Sequence, residues 1–222
     1  MKYYPIFLRV AGRACLVIGG GKVAAHKVES LLDANAAVTV ISPELTPKLA
    51  ALAAANRIMH HRRRYAGGDV KGFFLAYAAT NEAAVHAQIA TDAETAGVLL
   101  NVVDRPQLCT FIVPSVMQRG DLVIATSTGG TSPALAKRIR HDLEDRFGPE
   151  YALALQLLGR LRAALVQRCL PAAERQRIFA ALVDSPLLEY LRDGQRADVD
   201  RLLAITVGDD VSLNSLGMEP TA

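Results

Sequence analysis

Cysteine is scarce in this chain and badly placed for cross-linking. Cys15, Cys109 and Cys169 are odd in number, widely spaced and form no CxxC pair. That argues against a disulfide framework and against a zinc site, and points to a reducing compartment. Long apolar runs are missing too: a segment such as Phe73–Ala79 is far too short to span a bilayer. The start, MKYYPIFLRV, has neither the apolar stretch nor the small-residue cleavage site of a signal peptide. The expectation is therefore a cytoplasmic protein with no membrane partner. Charge of one sign is not abundant, the net value being only +3. The one basic run, His60–Arg64 (HHRRR), has no aromatic interleaving beyond Tyr65 and no nucleic-acid module around it. It reads as a solvated strand edge, and no nucleic-acid partner is expected. A modest surplus of Lys and Arg would also suit a polycarboxylate substrate.

What is present is an ordinary globular composition, 51% apolar and 21% charged over 222 residues. A chain of this length can bury a substantial core in one large domain or two small ones. The most informative stretch is RACLVIGGGKVAAHK, Arg13 to Lys27. It reads as a short apolar strand (Ala14–Ile18), three glycines and the first turn of a helix. Gly19, Gly21 and Ala24 fit the G-x-G-x-x-G/A dinucleotide fingerprint, in which the first glycine permits a tight turn and the second lets backbone approach a pyrophosphate. The small third residue lets helix and strand pack closely. Free N–H groups at the helix start favour phosphate charge. A second strand, AVTVI (Ala37–Ile41), follows at the spacing of a βαβ unit.

The alternation continues to about Asp104. A helix over Leu45–Asn56, opened by Ser42 and Pro43, precedes an edge strand at Ile58–Tyr65. A strong strand follows at Phe73–Ala79, then a helix over Glu82–Ala96 capped by Asn81, then a strand at Val98–Val103. Such alternation implies a parallel doubly wound sheet whose ligand lies beyond the carboxyl ends of its strands. Ser42 to Glu44, Thr80, Asn81 and Asp104 all fall there. The pattern then changes. Phe111–Val116 and Leu122–Thr126 flank the turn QRGD as an antiparallel pair. Thr131 or Ser132 caps a helix with Pro133 in its first turn, which Gly148 ends. The rest is helical to about Ala204, with breaks near Pro171 and Pro186, and the polar segment from Gly208 is expected to be a flexible tail.

The second strand ends ISPE, with no acid at its very tip. Either Glu44 or the backbone around Ser42 and Pro43 is placed to meet an adenosine ribose, and no arginine follows at once to greet a 2′-phosphate, which favours NAD over NADP. Asp104 stands at the rim where cofactor and substrate meet. A carboxylate there can take a proton as a hydride departs, or it can simply shape a turn beside Arg105 and Pro106. The loop TSTGGTSP, Thr126 to Pro133, offers hydroxyls, glycines and a helix start, either as an anion cradle or as an ordinary capped helix. Lys137, Arg138 and Arg140 on that helix can meet substrate carboxylates or form its solvated face. His26, His86 and His141 lack metal-ligand spacing, and no metal cluster is expected.

Together, YYPIFLRV, VIGGGKVAAHKVESLL, VTVISPEL, AAT (Ala78–Thr80), NVVD (Asn101–Asp104), FIVPS (Phe111–Ser115) and STGGTSPALAKRIR occur in order. This series resembles the precorrin-2 dehydrogenase family, the sirohydrochlorin-forming module at the N-terminus of sirohaem synthases, from the start to about Leu165. The resemblance implies NAD-dependent oxidation of precorrin-2 to sirohydrochlorin by a homodimer whose segment around Val113–Phe147 exchanges between protomers. It implies a Rossmann-type NAD-binding domain at 1–112, a small strand-helix dimerisation unit at 113–148, a helical C-terminal domain at 149–207 and a flexible tail at 208–222. Cofactor contacts would fall to Gly19, Gly20, Gly21, Lys22, Val23, Pro43, Glu44 and Thr80. The tetrapyrrole would meet Asn101, Thr128, Gly129, Gly130, Thr131 and Ser132, and Asp104 would be the general base. Position 128 is Thr where some relatives carry Ser. Some relatives also insert ferrous iron with the same carboxylate, so dehydrogenase alone and dehydrogenase with ferrochelatase both remain open. A different class, an NAD(H)-sensing regulatory module, would bind the nucleotide without needing Asp104.

Overall fold

The computed structural model describes residues 2–80 and 82–218. The chain divides into two compact units, Met1–Val113 and Pro114–Ala222.

In the first unit β1 (Ala14–Ile18), β2 (Ala37–Ile41), β3 (Met59–His61), β4 (Leu75–Ala78) and β5 (Leu99–Val102) form one sheet in the order β3-β2-β1-β4-β5. Every neighbouring pair is parallel. Helices α1 (Lys22–Asp33), α2 (Pro47–Ala54) and α3 (Ala83–Ala96) connect the strands. Central β1 is sealed on both faces, and its side chains alternate between two cores. Cys15 and Val17 pack with Val28, Val40 and Leu49, while Leu16 and Ile18 pack with Ala76, Ile89 and Leu100. This is the doubly wound sheet that the strand-helix alternation implies.

Its elements are shorter than expected at several ends. The helix after β2 begins at Pro47, not Leu45, because Thr46 rather than Ser42 or Pro43 caps it, accepting from the Leu49 N–H at 3.5 Å. Ser42 instead spends its hydroxyl on the Glu44 carbonyl at 2.7 Å, which makes Ser42–Leu45 a loop. The edge strand shrinks to Met59–His61, since Arg63 turns aside to a bidentate pair with Asp69 at 2.5 and 2.9 Å. The expected cap Asn81 lies outside the described residues, and the α3 N-cap is Glu82, with no side-chain cap bond.

The second unit opens with an antiparallel hairpin of β6 (Ser115–Arg119) and β7 (Leu122–Thr126). The first strand therefore starts four residues later than Phe111. Phe111 belongs to the first unit, where its ring packs edge-on against Tyr77 at 5.6 Å. Gln118 and Arg119 are strand residues, and the turn is Gly120–Asp121, with Gly120 at φ +56. Helix α4 (Pro133–Arg146) follows and stops before Gly148, Phe147 being its C-cap. Then come α5 (Glu150–Gln167), α6 (Ala172–Val183), α7 (Leu187–Arg192) and α8 (Arg196–Thr206) around a core of Leu157, Leu161, Leu165, Leu182 and Leu203.

The segment after α8 is not a loose tail as far as residue 218. Val211, Leu213 and Met218 are buried in the helical core. Asp200 accepts from the Leu213 N–H at 2.6 Å, and Arg168 pairs with Asp210 at 2.6 Å. Three apolar anchors spaced among polar residues carry too little periodicity to read as a packed element, yet they suffice to fix the segment.

Candidate functional site

All five parallel strands end at one edge of the sheet, so the loops that follow them share that edge. Gly19 leaves β1 at φ +126, with its N–H donating to the Ile41 carbonyl at 2.9 Å. A side chain on Gly19 would collide with the Ala79 carbonyl at 2.4 Å. Gly20 is tighter still: a Cβ there would lie 1.9 Å from the Glu44 carbonyl oxygen and 2.7 Å from Ser42 Oγ. Gly21, the N-cap of α1, has nothing within 4 Å of its would-be Cβ. The loop thus packs bare backbone against β4 and the post-β2 loop through its first two glycines, and keeps the third open. That is the cradle a pyrophosphate requires, with the start of α1 behind it.

The post-β2 loop is pinned from several sides. His60 Nε2 donates to the Ser42 carbonyl at 2.9 Å, which fixes that ring's tautomer, and the Thr46 N–H donates to the Gly20 carbonyl at 2.9 Å. On the other side His86, itself buried, donates from Nε2 to the Thr80 carbonyl at 2.8 Å. The Thr80 hydroxyl accepts from the Glu82 N–H at 3.3 Å.

These loops enclose a cavity of about 780 Å³. Its walls hold Gly19, Gly20, Gly21, Lys22 and Val23 from the first βα turn, Pro43 and Glu44 from the second, and Thr80 from the fourth strand's end. The structure brings all eight expected cofactor residues to one cavity. It adds Ser42 and Arg64. Arg64 was hidden in the run HHRRR, three of whose residues have separate uses: His60 holds the post-β2 loop, Arg63 pairs with Asp69, and Arg64 reaches the cavity, 3.2 Å from Glu82. His86 gave no sequence signal, because a positioning histidine on a helix looks like any other.

Asp104 lies beyond the end of β5, the edge strand, and does not wall that cavity. It is exposed, sits at φ +58, and its carboxylate makes no hydrogen bond or ion pair among the described residues. Asn101, expected at the substrate, uses its side-chain amide inside the fold, donating to the Phe111 carbonyl at 3.1 Å.

In the second unit the Thr128 hydroxyl donates to the Ser132 carbonyl at 3.0 Å and accepts from the Ser132 N–H at 3.1 Å. A serine hydroxyl would do the same. Ser132, not Thr131, caps α4 by accepting from the Leu135 N–H at 3.2 Å. Gly129 and Gly130 take φ +65 and +87 with open space where side chains would be. Arg138 pairs with Asp142 at 2.9 Å, and Arg140 pairs with Glu144 on the same helix. Among the described residues no group of three or more His, Cys, Asp or Glu is placed to hold a metal ion, and no helix is long and apolar enough to cross a membrane.

A doubly wound parallel sheet with a glycine cradle at its carboxyl edge defines a Rossmann-type dinucleotide-binding protein. Comparison with known proteins narrows the class. Residues 6–115 match an NAD(P)-binding family model, 119–146 the sirohaem biosynthesis protein central region, and 151–205 the sirohaem synthase dimerisation region. The chain belongs to the sirohaem-biosynthesis family built from these regions in tandem. It is 37% identical over 195 residues to a siroheme synthase of Methylobacillus flagellatus, covering 88% of this chain and 42% of the relative. A siroheme synthase of Methylococcus capsulatus is 39% identical over 207 residues, with 91% and 43% coverage. The chain thus spans less than half the length of these relatives. A solved structure of a precorrin-2 dehydrogenase, SirC, superposes with a TM-score of 0.79 at 26% identity, covering 90% of this chain and 98% of that one.

Proposed function

We propose that this chain oxidises precorrin-2 to sirohydrochlorin with NAD⁺, as a cytoplasmic homodimer in sirohaem biosynthesis. The observation that carries the reading is a carboxylate, Asp104, that has no partner among the described residues and stands at the same sheet edge as a glycine cradle whose third glycine faces open space. The reaction removes one hydride and one proton from the tetrapyrrole, and bound NAD⁺ supplies the hydride acceptor. Asp104 takes the proton. Its carboxylate is exposed and engaged by no partner among the described residues, which leaves its oxygens available to a proton. Gly19, Gly20 and Gly21 hold the pyrophosphate, with Lys22 and Val23 beside it. Pro43, Glu44 and Thr80 line the rest of the nucleotide's path.

The tetrapyrrole's carboxylates fall to Thr128, Gly129, Gly130, Thr131 and Ser132 of the second unit, and Asn101 serves the substrate from the first unit, where it holds the Phe111 carbonyl at 3.1 Å. The Thr128 and Ser132 hydroxyls are occupied within the loop, so their contribution is to hold the two glycines' backbone open to an anion. In this reading residues 1–112 serve the cofactor, 113–148 the pairing of protomers and 149–207 the helical flank. Val116 on β6 and Leu135 and Ile139, one turn apart on α4, are exposed apolar side chains that support pairing through this unit.

The test is an anaerobic assay with precorrin-2 and NAD⁺, followed by Fe²⁺ once oxidation is complete. NADH formation that depends on Asp104 is the expected result. Tight NADH binding without turnover would favour a sensing module instead. Iron insertion faster than the protein-free control would add a ferrochelatase, with Asp104 assisting removal of the pyrrole protons.

A further inference from the structure

Four non-glycine residues among those described adopt positive φ: Asn35, Asn56, Asp104 and Cys169. Three of them stand just past a helix, Asn35 after α1, Asn56 after α2 and Cys169 after α5. There a left-handed residue is the ordinary way to close the last turn. Asp104 follows a strand, so helix termination does not account for its φ of +58. A non-glycine residue stays in that conformation only where its surroundings hold it.

The Arg105 N–H closes the turn on the Val102 carbonyl at 3.2 Å, and Cys109 braces the same two residues with its side chain. Its Sγ lies 3.3 Å from the Val102 carbonyl and 3.3 Å from the Arg105 carbonyl, on either side of Asp104. It also accepts from the Val102 N–H at 3.2 Å. A thiol has one hydrogen, which it donates to one of the two carbonyls at a time, while its lone pairs serve the amide. Among the described residues no other side chain bonds to the backbone between Val102 and Arg105. The sulfur is itself fixed through the neighbouring Thr110. That residue pairs with Leu100 through its N–H at 2.9 Å and through its hydroxyl, which accepts from the Leu100 N–H at 2.8 Å. The segment Cys109–Phe111 thus runs along the free edge of β5, and the half-buried thiol is delivered under the turn that carries Asp104.

We propose that Cys109 is a positioning residue: its thiol ties Val102 to Arg105, fixes Asp104 in the left-handed conformation and so aims the carboxylate at the tetrapyrrole. The inference rests on Asp104 being the base. It asks no redox chemistry of the sulfur.

The test compares the parent, Cys109→Ala, Cys109→Ser, Asp104→Asn and Cys109→Ala/Asp104→Asn in single-turnover oxidation of precorrin-2, with NADH affinity by fluorescence. Cys109→Ala should slow oxidation about 10- to 100-fold, the scale of a small misplacement of a reacting group, with NADH affinity unchanged. Cys109→Ser keeps a donor and an acceptor and should recover most of the rate. In the Asp104→Asn background Cys109→Ala should cost nothing further, because it acts only through that carboxylate. An equal loss in both backgrounds, or a parental rate for Cys109→Ala beside a crippled Asp104→Asn, would overturn the positioning role alone. A parental rate for Asp104→Asn would bring down the base assignment and this inference with it. Should Cys109→Ala not fold, Cys109→Ser and Cys109→Val carry the same comparison: a serine no faster than the valine refutes the tie.

Discussion

Gly20→Ala is the sharpest structural prediction, because the central glycine is not one the dinucleotide pattern demands. An alanine Cβ at position 20 would lie 1.9 Å from the Glu44 carbonyl oxygen, where ordinary contact begins near 3.4 Å. One side must retreat by about 1.5 Å. Neither is a flexible side chain that can swing away. The Glu44 carbonyl accepts from Ser42 Oγ at 2.7 Å, and the Gly20 carbonyl accepts from the Thr46 N–H at 2.9 Å. Overpacking costs roughly 1–3 kcal/mol, and each weakened hydrogen bond about 1 kcal/mol. A loss near 3 kcal/mol follows, or roughly 6–12 °C in Tm for a chain of this size. NAD affinity should drop with it, since both cavity walls move. Gly21→Ala is the control. Its φ of −81 suits any residue and nothing lies within 4 Å of the added methyl, so Tm should change little. The methyl would nevertheless stand on the cavity wall and weaken NAD binding. Thermal melts and NAD titrations of the two variants decide the matter. Equal melting losses in both, or an unshifted Gly20→Ala, would refute the packing argument.

Asp104→Asn should lower the rate of precorrin-2 oxidation by about 10²–10⁴, the usual contribution of a positioned base, while NAD titration gives the parental affinity. Arg192→Ala removes the partner 3.3 Å from the buried Glu150 carboxylate, and should cost about 1–3 kcal/mol in urea unfolding. Arg192→Lys should restore part of that. Asp92 is held below the usual carboxylate range chiefly by the Tyr65 hydroxyl at 2.6 Å and then by the Gly68 N–H at 2.9 Å. Its folded pKa lies below its unfolded one, so its contribution is complete above about pH 4 and disappears as pH falls through the folded value. The stability gap between the parent and Tyr65→Phe, measured by urea midpoints at pH 6 and at pH 2, should therefore close on acidification. A gap that persisted unchanged would refute the linkage.

The sheet was legible because its signals are local. Apolar runs bounded by turn residues locate β1, β2, β4 and β5, and three glycines between a strand and a helix locate the cradle. Element ends were less legible because competition between neighbours sets them. Whether Ser42 or Thr46 caps α2 depends on which hydroxyl the Glu44 carbonyl claims, and nothing in ISPELTP states that. The segment from Gly208 to Met218 was misread for a related reason. Its anchors Val211, Leu213 and Met218 follow neither period 2 nor period 3.6, so only the surface they pack against reveals them. Arg64 was missed because its role comes from approach to Glu82, eighteen residues on, and His86 because a histidine on an alanine-rich helix does not show that it reaches back six residues to the Thr80 carbonyl.

Asp104 shows where residue type and backbone must be read together. From the sequence, a turn-shaping aspartate and a catalytic one were alternatives. In the structure the two readings are compatible, since the left-handed turn at φ +58 lies past the end of β5 and leaves the carboxylate with no hydrogen bond or ion pair among the described residues. Asn35 and Asn56 adopt nearly the same φ, +58 and +54, at helix ends where asparagine is a common choice. If position 104 needed only the turn, asparagine would serve there too. Asp104→Asn should then leave Tm unchanged while it lowers turnover by about 10²–10⁴, separating the conformational demand from the chemical one. A variant that lost stability in proportion to activity would mean that the carboxylate shapes the turn and that the proton goes elsewhere.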